Sequence, residues 1–211
     1  MYLAMPNKRA HSSGGPGTVV RIEPLLATDY DEMVALWKAA GLTYRPRGRD
    51  SRKEIARQLR TPAAIFLKAV VAKGAGTRVQ GAGLRVQGTT KTDHVTVLVF
   101  GPRHRRSLPC TLLSAPCSLE PIGKILGVVL GSHDERRGWI NRLAVLPEYQ
   151  KSGIGGILVR ELEKRFDRLG LLLVAVQVDK GNRGSLRFFK GCGFRLHDDI
   201  HYLSKRKGDW A

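Results

Sequence analysis

The chain has 211 residues, 42% of them apolar, which suffices for one ordinary domain with a buried core. Its 36 Lys and Arg against 18 Asp and Glu leave a net charge of +18, a field that draws nucleic acid, acidic protein surfaces or an anionic cofactor. No apolar run approaches the ~20 residues that cross a bilayer, so a membrane partner is not expected.

Residues 1–18, rich in Ser, Gly and Pro, read as a disordered tail without the continuous apolar stretch of a secretory signal. Cys110, Cys117 and Cys192 show no C-x-x-C spacing, which fits free thiols in a reducing cytoplasm. A first strand is predicted over Val19–Pro24. Thr28 and Asp31 resemble a capping box for a helix carrying Met33, Leu36, Trp37 and Ala40, which Gly41 stops. Ser51 and Glu54 form a second capping box, with Ile55 and Leu59 as the apolar side of a second helix. Ala64–Ala72 is a second strand.

Residues 73–121 break the pattern. They make a 49-residue connection, where a hairpin needs about 2–5. Inside it Arg78-Val79-Gln80-Gly81 recurs as Arg85-Val86-Gln87-Gly88, and only His94–Phe100 is strand-like. Three readings fit: a functional basic insertion, an unstructured loop, or a segment not normally present, since joining Val71 to Lys124 leaves an ordinary hairpin. Disorder is the expectation under each of them.

Beyond it the elements are clearer. Ile125–Leu130 is a strand, Gly131–Gly138 a polar turn with His133 and Asp134, and Trp139–Val145 the next strand. Pro147–Ser152 is a loop, after which Ile154, Ile157, Leu158, Leu162, Phe166 and Leu169 mark one face of a long helix ended by Gly170. Leu171–Val178 is a buried strand, Arg183–Lys190 a short helix, and Phe194–Leu203 a final strand or hairpin. The order β-α-α-β-β-β-α-β-α-β is that of a mixed α/β domain. It spans residues 19–204, interrupted by 73–121 and followed by a tail over 205–211.

The chemistry concentrates at Gln150-Lys151-Ser152-Gly153-Ile154-Gly155-Gly156, between a strand and the long helix. Glycines let backbone N–H groups crowd an anion, and the helix start adds partial positive charge. A diphosphate is the natural guest, with Lys151 beside it. A dinucleotide fingerprint needs a third glycine where Leu158 stands, and a Walker loop needs a following Gly-Lys-Ser/Thr that is missing. The six histidines show no metal-ligand spacing, so no metal is expected.

Residues Asn141 to Tyr149 leading into Gln150-Lys151-Ser152-Gly153-Ile154-Gly155 resemble the acetyl-CoA signature of the GNAT N-acetyltransferases, a strand, then Q/R-x-x-G-x-G/A, then a helix. The resemblance continues at Asn182, Ser185, Phe188, Phe189 and Gly193-Phe194, covering 19–72 loosely and 122–204 well. It implies the GNAT fold: a mixed, largely antiparallel twisted sheet flanked by helices and splayed between its two central strands. It also implies acetyl-CoA as co-substrate. The backbone of Leu143, Ala144 and Val145 would pair with the pantetheine arm, one amide polarising the thioester carbonyl. Gln150, Lys151, Ser152, Gly153, Ile154, Gly155 and Gly156 would hold the pyrophosphate, and Asn182 would bond the pantetheine as well as cap a helix.

Two positions depart from the family. Phe189 stands where a Tyr often protonates the leaving thiolate, and Gln177 where some members place a Glu base. Tyr202, His201 and Tyr44 are the substitute catalytic candidates. Tyr44, Arg45 and Arg47, between the first two helices, are the acceptor-binding candidates, suited to a carboxylate or phosphate. The expected function is acetyl transfer to a primary amine, on a small molecule or protein, by direct attack in a ternary complex of a monomer or homodimer. Two rival readings are a CoA-binding module without turnover and a basic nucleic-acid-associated protein, the latter without a supporting motif.

Overall fold

The computed structural model describes residues 18–72, 86–87, 95–99 and 121–205. In chain order the elements are β1 (Thr18–Pro24), a 3-10 turn (Ala27–Asp29), α1 (Tyr30–Ala39), α2 (Arg52–Gln58), β2 (Ala64–Val71), β3 (Val86–Gln87) and β4 (Val95–Val99). There follow β5 (Ile125–His133), β6 (Gly138–Val145), a 3-10 turn (Pro147–Tyr149), α3 (Ile154–Arg168), β7 (Val174–Val176) and α4 (Arg183–Gly191).

These strands form one mixed sheet in the order β3-β4-β1-β2-β5-β6-β7. Every pair is antiparallel except β6–β7. The strand expected near 94–100 does form, and it lies against β1. Even so, β2 and β5 meet directly: the Val71 amide donates to the Lys124 carbonyl at 3.0 Å, and the Gly123 amide to the Val71 carbonyl at 2.8 Å. Residues 73–85, 88–94 and 100–120 of the connection, with the rest of its repeat and its expected disorder, lie outside the described residues, as do the tails 1–17 and 206–211.

A helix covers each face of the sheet. On one side α3 buries Ile154, Ile157, Leu158, Leu162 and Phe166 against Val20, Ile22, Leu67, Ala69, Val129 and Ile140, each such side chain contributing about 1.5–3 kcal/mol. Gly131 and Gly138 are required under it. A Cβ on Gly131 would meet the Leu162 methyls at 2.7 Å, and one on Gly138 the Phe166 ring at 2.5 Å. On the other side α1 buries Tyr30, Met33, Leu36 and Trp37 against Phe66, Val70, Ile125, Val128 and Leu130. Glu32 fixes this helix by accepting the Ile125 amide at 2.7 Å, and Asp29 pairs with the buried Lys68 amine at 2.7 Å.

Two register irregularities matter. Leu130 faces Arg142 while Gly131 faces Ile140, so Asn141 is an extra residue, a bulge in β6. As a result Ile140 joins the α3 side and Ala144, also even-numbered, joins the α1 side. A similar slip at Ala69/Val70 makes Leu126 the extra residue of β5.

Several sequence expectations change. Thr28 does not cap α1; the entry is closed by Asp29, whose carboxylate accepts the Leu26 amide at 2.7 Å. β5 and β6 run on through the expected polar turn, which shrinks to residues 134–137. The strand over Phe194–Leu203 is not formed. Leu196, Ile200, Tyr202 and Leu203 there are all more than half exposed, so burial offers little to offset the cost of ordering them.

Candidate functional site

The parallel β6–β7 pairing is short. Gly138, Trp139 and Ile140 pair with Val174, Ala175 and Val176, and there it ends. Beyond Ile140, β6 keeps its β5 partner (Arg142 to Val145 face Leu130 to Gly127) and has no β7 partner. The sheet is thus splayed, as the resemblance implies, and the free edge is that of Leu143, Ala144 and Val145. Leu143 and Val145 are half-buried on the α3 side, and Ala144 is buried on the other.

This edge runs into the turn before α3. Gln150 folds back to donate from Nε2 to the Val145 carbonyl at 3.2 Å, and the Ser152 hydroxyl donates to the Tyr149 carbonyl. Lys151 has φ +63° and Gly153 φ +96°, both left-handed, with Gly153 as N-cap. Such a conformation suits glycine and strains Lys151. Two left-handed residues flanking Ser152 turn the chain tightly enough to open a helix on bare amides. The first backbone bond of α3 runs from the Ile157 amide to the Gly153 carbonyl at 3.1 Å, so the amides of Ile154, Gly155 and Gly156 have no intrahelical acceptor. Three unpaired donors at a helix start, beside the exposed Lys151, make an anion site. Close packing keeps it small: a Cβ on Gly155 would meet the Phe188 ring at 3.3 Å, and one on Gly156 the Arg160 guanidinium at 3.2 Å.

Asn182 caps α4, its Oδ1 accepting the Ser185 amide at 2.9 Å; its side-chain NH2 still has donors to offer. Phe189 is buried, stacked edge-on against Phe188 and Phe194 at 5.1 and 5.4 Å, so it packs the core. Gln177 is exposed just past β7. His201 and Tyr202 lie exposed on the irregular segment after α4.

Tyr44 is placed quite differently. It is half-buried in the α1–α2 loop, its ring 6.4 Å from Trp37. The Tyr30 hydroxyl donates to the Asp50 carbonyl at 2.8 Å, so in the 2.9 Å contact between the two phenols Tyr44 is the donor. Burial, then the Tyr44 bond, push the Tyr30 phenol up to about 12.

Sequence reasoning missed the group that holds this loop. Asp50 is 2% exposed. Its Oδ2 accepts from the Arg142 guanidinium at 2.6 Å and from the Arg45 amide at 2.9 Å. Arg142 also donates to the Thr43 carbonyl at 2.9 Å and lies 4.7 Å over the Trp37 ring. Desolvation pulls the Arg142 pKa down, and the Asp50 carboxylate opposes this. The loop is thereby fastened to the residue preceding the free edge of β6. One signal was available in the sequence: a single acid within a run of arginines.

A mixed sheet opened between two parallel strands, with an amide-rich turn leading into a helix at the opening, defines the architecture of the GNAT N-acetyltransferases. Residues 106–194 match the model of the acetyltransferase (GNAT) family. An acetyltransferase of Sodalis glossinidius (strain morsitans) is 28% identical over 87 residues, 41% of this chain and 61% of that relative, so the chain matches less than two thirds of its length. An aminoglycoside acetyltransferase from an uncultured soil metagenomic sample has a similar fold, with TM-score 0.55, 18% identity, and 89% of this chain and 97% of that chain covered. The ribosomal-protein-alanine N-acetyltransferase of Brucella melitensis biovar Abortus 2308 gives TM-score 0.52 at 15% identity, covering 89% and 99%. A PaiA N-acetyltransferase from Thermoplasma acidophilum, solved in complex with coenzyme A, gives 0.54 at 15% identity, covering 85% and 91%.

Among the described residues no group of His, Cys, Asp and Glu could hold a metal ion, and no helix is long and apolar enough to cross a membrane.

Proposed function

We propose that this chain binds acetyl-CoA and transfers its acetyl group to a primary amine by direct attack in a ternary complex. The observation that carries this reading is the junction of the free β6 edge with the unpaired amides of Ile154, Gly155 and Gly156. An extended arm fits the first and a diphosphate the second, and the two are continuous in sequence. Gln150, Lys151, Ser152 and Gly153 complete the phosphate turn, while Asn182 offers its amide to the arm across the opening.

Bound acetyl-CoA supplies the activated acyl group and the thiolate leaving group. The chain supplies position and polarisation. The main chain of Leu143, Ala144 and Val145 would hold the thioester along β6, and one of those amides would polarise its carbonyl oxygen. The α1–α2 loop, fastened by Asp50 and Arg142, forms the acceptor side with Tyr44, Arg45 and Arg47. Tyr44 is an O–H donor held by Tyr30, and Tyr202 and His201 are the other proton-transfer candidates. An amine acceptor, small or protein-borne, and a cytoplasmic setting belong to the same reading.

Titration calorimetry with coenzyme A, followed by thiol release from acetyl-CoA over an amine panel, tests it. Absence of CoA binding in folded protein sinks the reading. The absence of an acid or base at Gln177 and at the core-packed Phe189 favours a second reading, a CoA-binding module without turnover. Tight binding with no thiol released from any amine would establish that one instead.

A further inference from the structure

The α1–α2 loop holds more cationic groups than its own anions neutralise. Asp50 is the only acid between Gly41 and Arg52. Arg142 reaches its carboxylate at 2.6 Å, whereas the Arg49 guanidinium stands 3.9 Å from the other oxygen. Arg142 and Asp50 are both nearly buried, with side chains 10% and 3% exposed, so they make a closed, neutral unit. Arg49, 67% exposed, and Arg47, also exposed, stand outside that unit on a loop already fastened to the sheet. Just beyond, Glu54 is occupied by Arg57, with bonds from Nε and Nη2, and by Gln58 at 3.0 Å. Asp31 is likewise taken by Arg52. Acids therefore stabilise the loop from within, while guanidinium groups face the solvent.

We propose that this loop is an oxyanion subsite for the acceptor: the amine that is acetylated sits on a molecule bearing a carboxylate or phosphate, held by Arg47 and Arg49. This rests on the acetyl-transfer reading above. Guanidinium groups recognise carboxylate and phosphate through paired N–H donors. A loop fixed by a buried ion pair presents them with less ordering cost than a free one. The same charge repels polycationic acceptors, so aminoglycosides, which carry several ammonium groups, are selected against. Arg142 and Asp50 act as positioning residues, because they touch the loop and not the acceptor.

The test uses the full chain with short fluorescent peptides of matched length whose free N-terminus is followed by acidic, phosphoserine, neutral or basic residues. Anisotropy reads binding and thiol release reads turnover, with the aminoglycoside sisomicin as the polycationic probe. The acidic and phosphoserine peptides are expected to bind at least tenfold more tightly than the neutral one. The Arg47→Ala/Arg49→Ala variant should erase that preference, acidic and neutral peptides then binding alike. An Arg136→Ala/Lys164→Ala variant removes the same charge elsewhere and should keep the preference. Equal binding of acidic and neutral peptides, preference for sisomicin, or equal loss in both variants overturns the subsite. Whether carboxylate or phosphate is the natural source follows from which peptide binds more tightly. If acidic peptides bind as expected and no thiol is ever released, the transfer reading fails and the subsite stands. Turnover without acidic preference has the opposite meaning.

Discussion

Gly138–Ile140 and Asn141–Val145 belong to one strand and are held by different forces. The first three residues pair with β5 on one side and β7 on the other, and Gly138 lies under the Phe166 ring. Past the unpaired Asn141, the last four pair with β5 alone and are braced by the Arg142 side chain, which reaches 92 positions back to Asp50. The first part is secured by core packing and a complete ladder. The second keeps a free backbone edge and is tied down through one ion pair. A strand can thus be structural at one end and available for binding at the other.

Asp50→Ala attacks the second part. It strands the Arg142 guanidinium in a site that is 10% exposed, and breaking such a pair costs about 3–5 kcal/mol. Urea unfolding should show this loss; a change under 1 kcal/mol would mean the pair braces nothing. Next comes Gly155→Asp, which places charge and bulk among the amides opening α3. CoA affinity by calorimetry should fall about 100-fold, near 2.7 kcal/mol, whereas Gly155→Ala loses far less. Unchanged affinity in a folded Gly155→Asp protein would show that the turn is not the phosphate site.

Gly138→Ala probes the first part, where a methyl would meet the Phe166 ring at 2.5 Å. Overpacking of that kind costs about 1–3 kcal/mol, so the denaturation midpoint should drop while CoA affinity per folded molecule holds. If affinity fell equally, the two parts of β6 would not be independent. Ser51→Ala removes the cap that accepts the Glu54 amide at 3.3 Å, and its cost of about 1 kcal/mol should show as a small shift in midpoint. The smallest effect belongs to acid. Bonds from Arg57 and Gln58 lower the Glu54 carboxyl from its ordinary 4.5 to about 2. A depressed carboxyl stabilises the fold above 4.5 and loses that contribution as pH falls toward 2. Glu54→Gln should be less stable than the parent at pH 6 and match it near pH 2; a constant difference would reject the linkage.

Local signals made much of this legible. The apolar stripe of α3, the Ser51 and Asn182 caps, and the left-handed Gly41 and Gly170 that end α1 and α3 all depend on residues within a few positions of each other. The splay of the sheet and the glycine turn came from a resemblance that spans consecutive residues. Asp50 and Arg142 escaped because 92 positions separate them, and the lone acid in its run of arginines does not say which cation it meets. The pairing of β4 with β1 escaped for the same reason, since separation in sequence hides register. At Phe194–Leu203 apolar residues suggested a final strand or hairpin, and with Leu196, Ile200, Tyr202 and Leu203 left exposed there was no face to hold one.

The extra residue at Asn141 carries a consequence for how this sequence can change. Past it, side chains swap faces, which is why Arg142 points toward Trp37 and Asp50 and not into the α3 side. Deleting Asn141 itself would leave Ile140 facing Gly131 and Arg142 facing Leu130 in a regular ladder, both faces kept, whereas losing Leu143 would slip Ala144 and Val145 by one and turn them to the opposite faces. Replacing Asn141, an exposed residue, is a minor event by comparison. Length is therefore constrained past the bulge and not at it: residue 141 can be replaced or lost with the faces kept, but no residue of the Arg142–Val145 segment can.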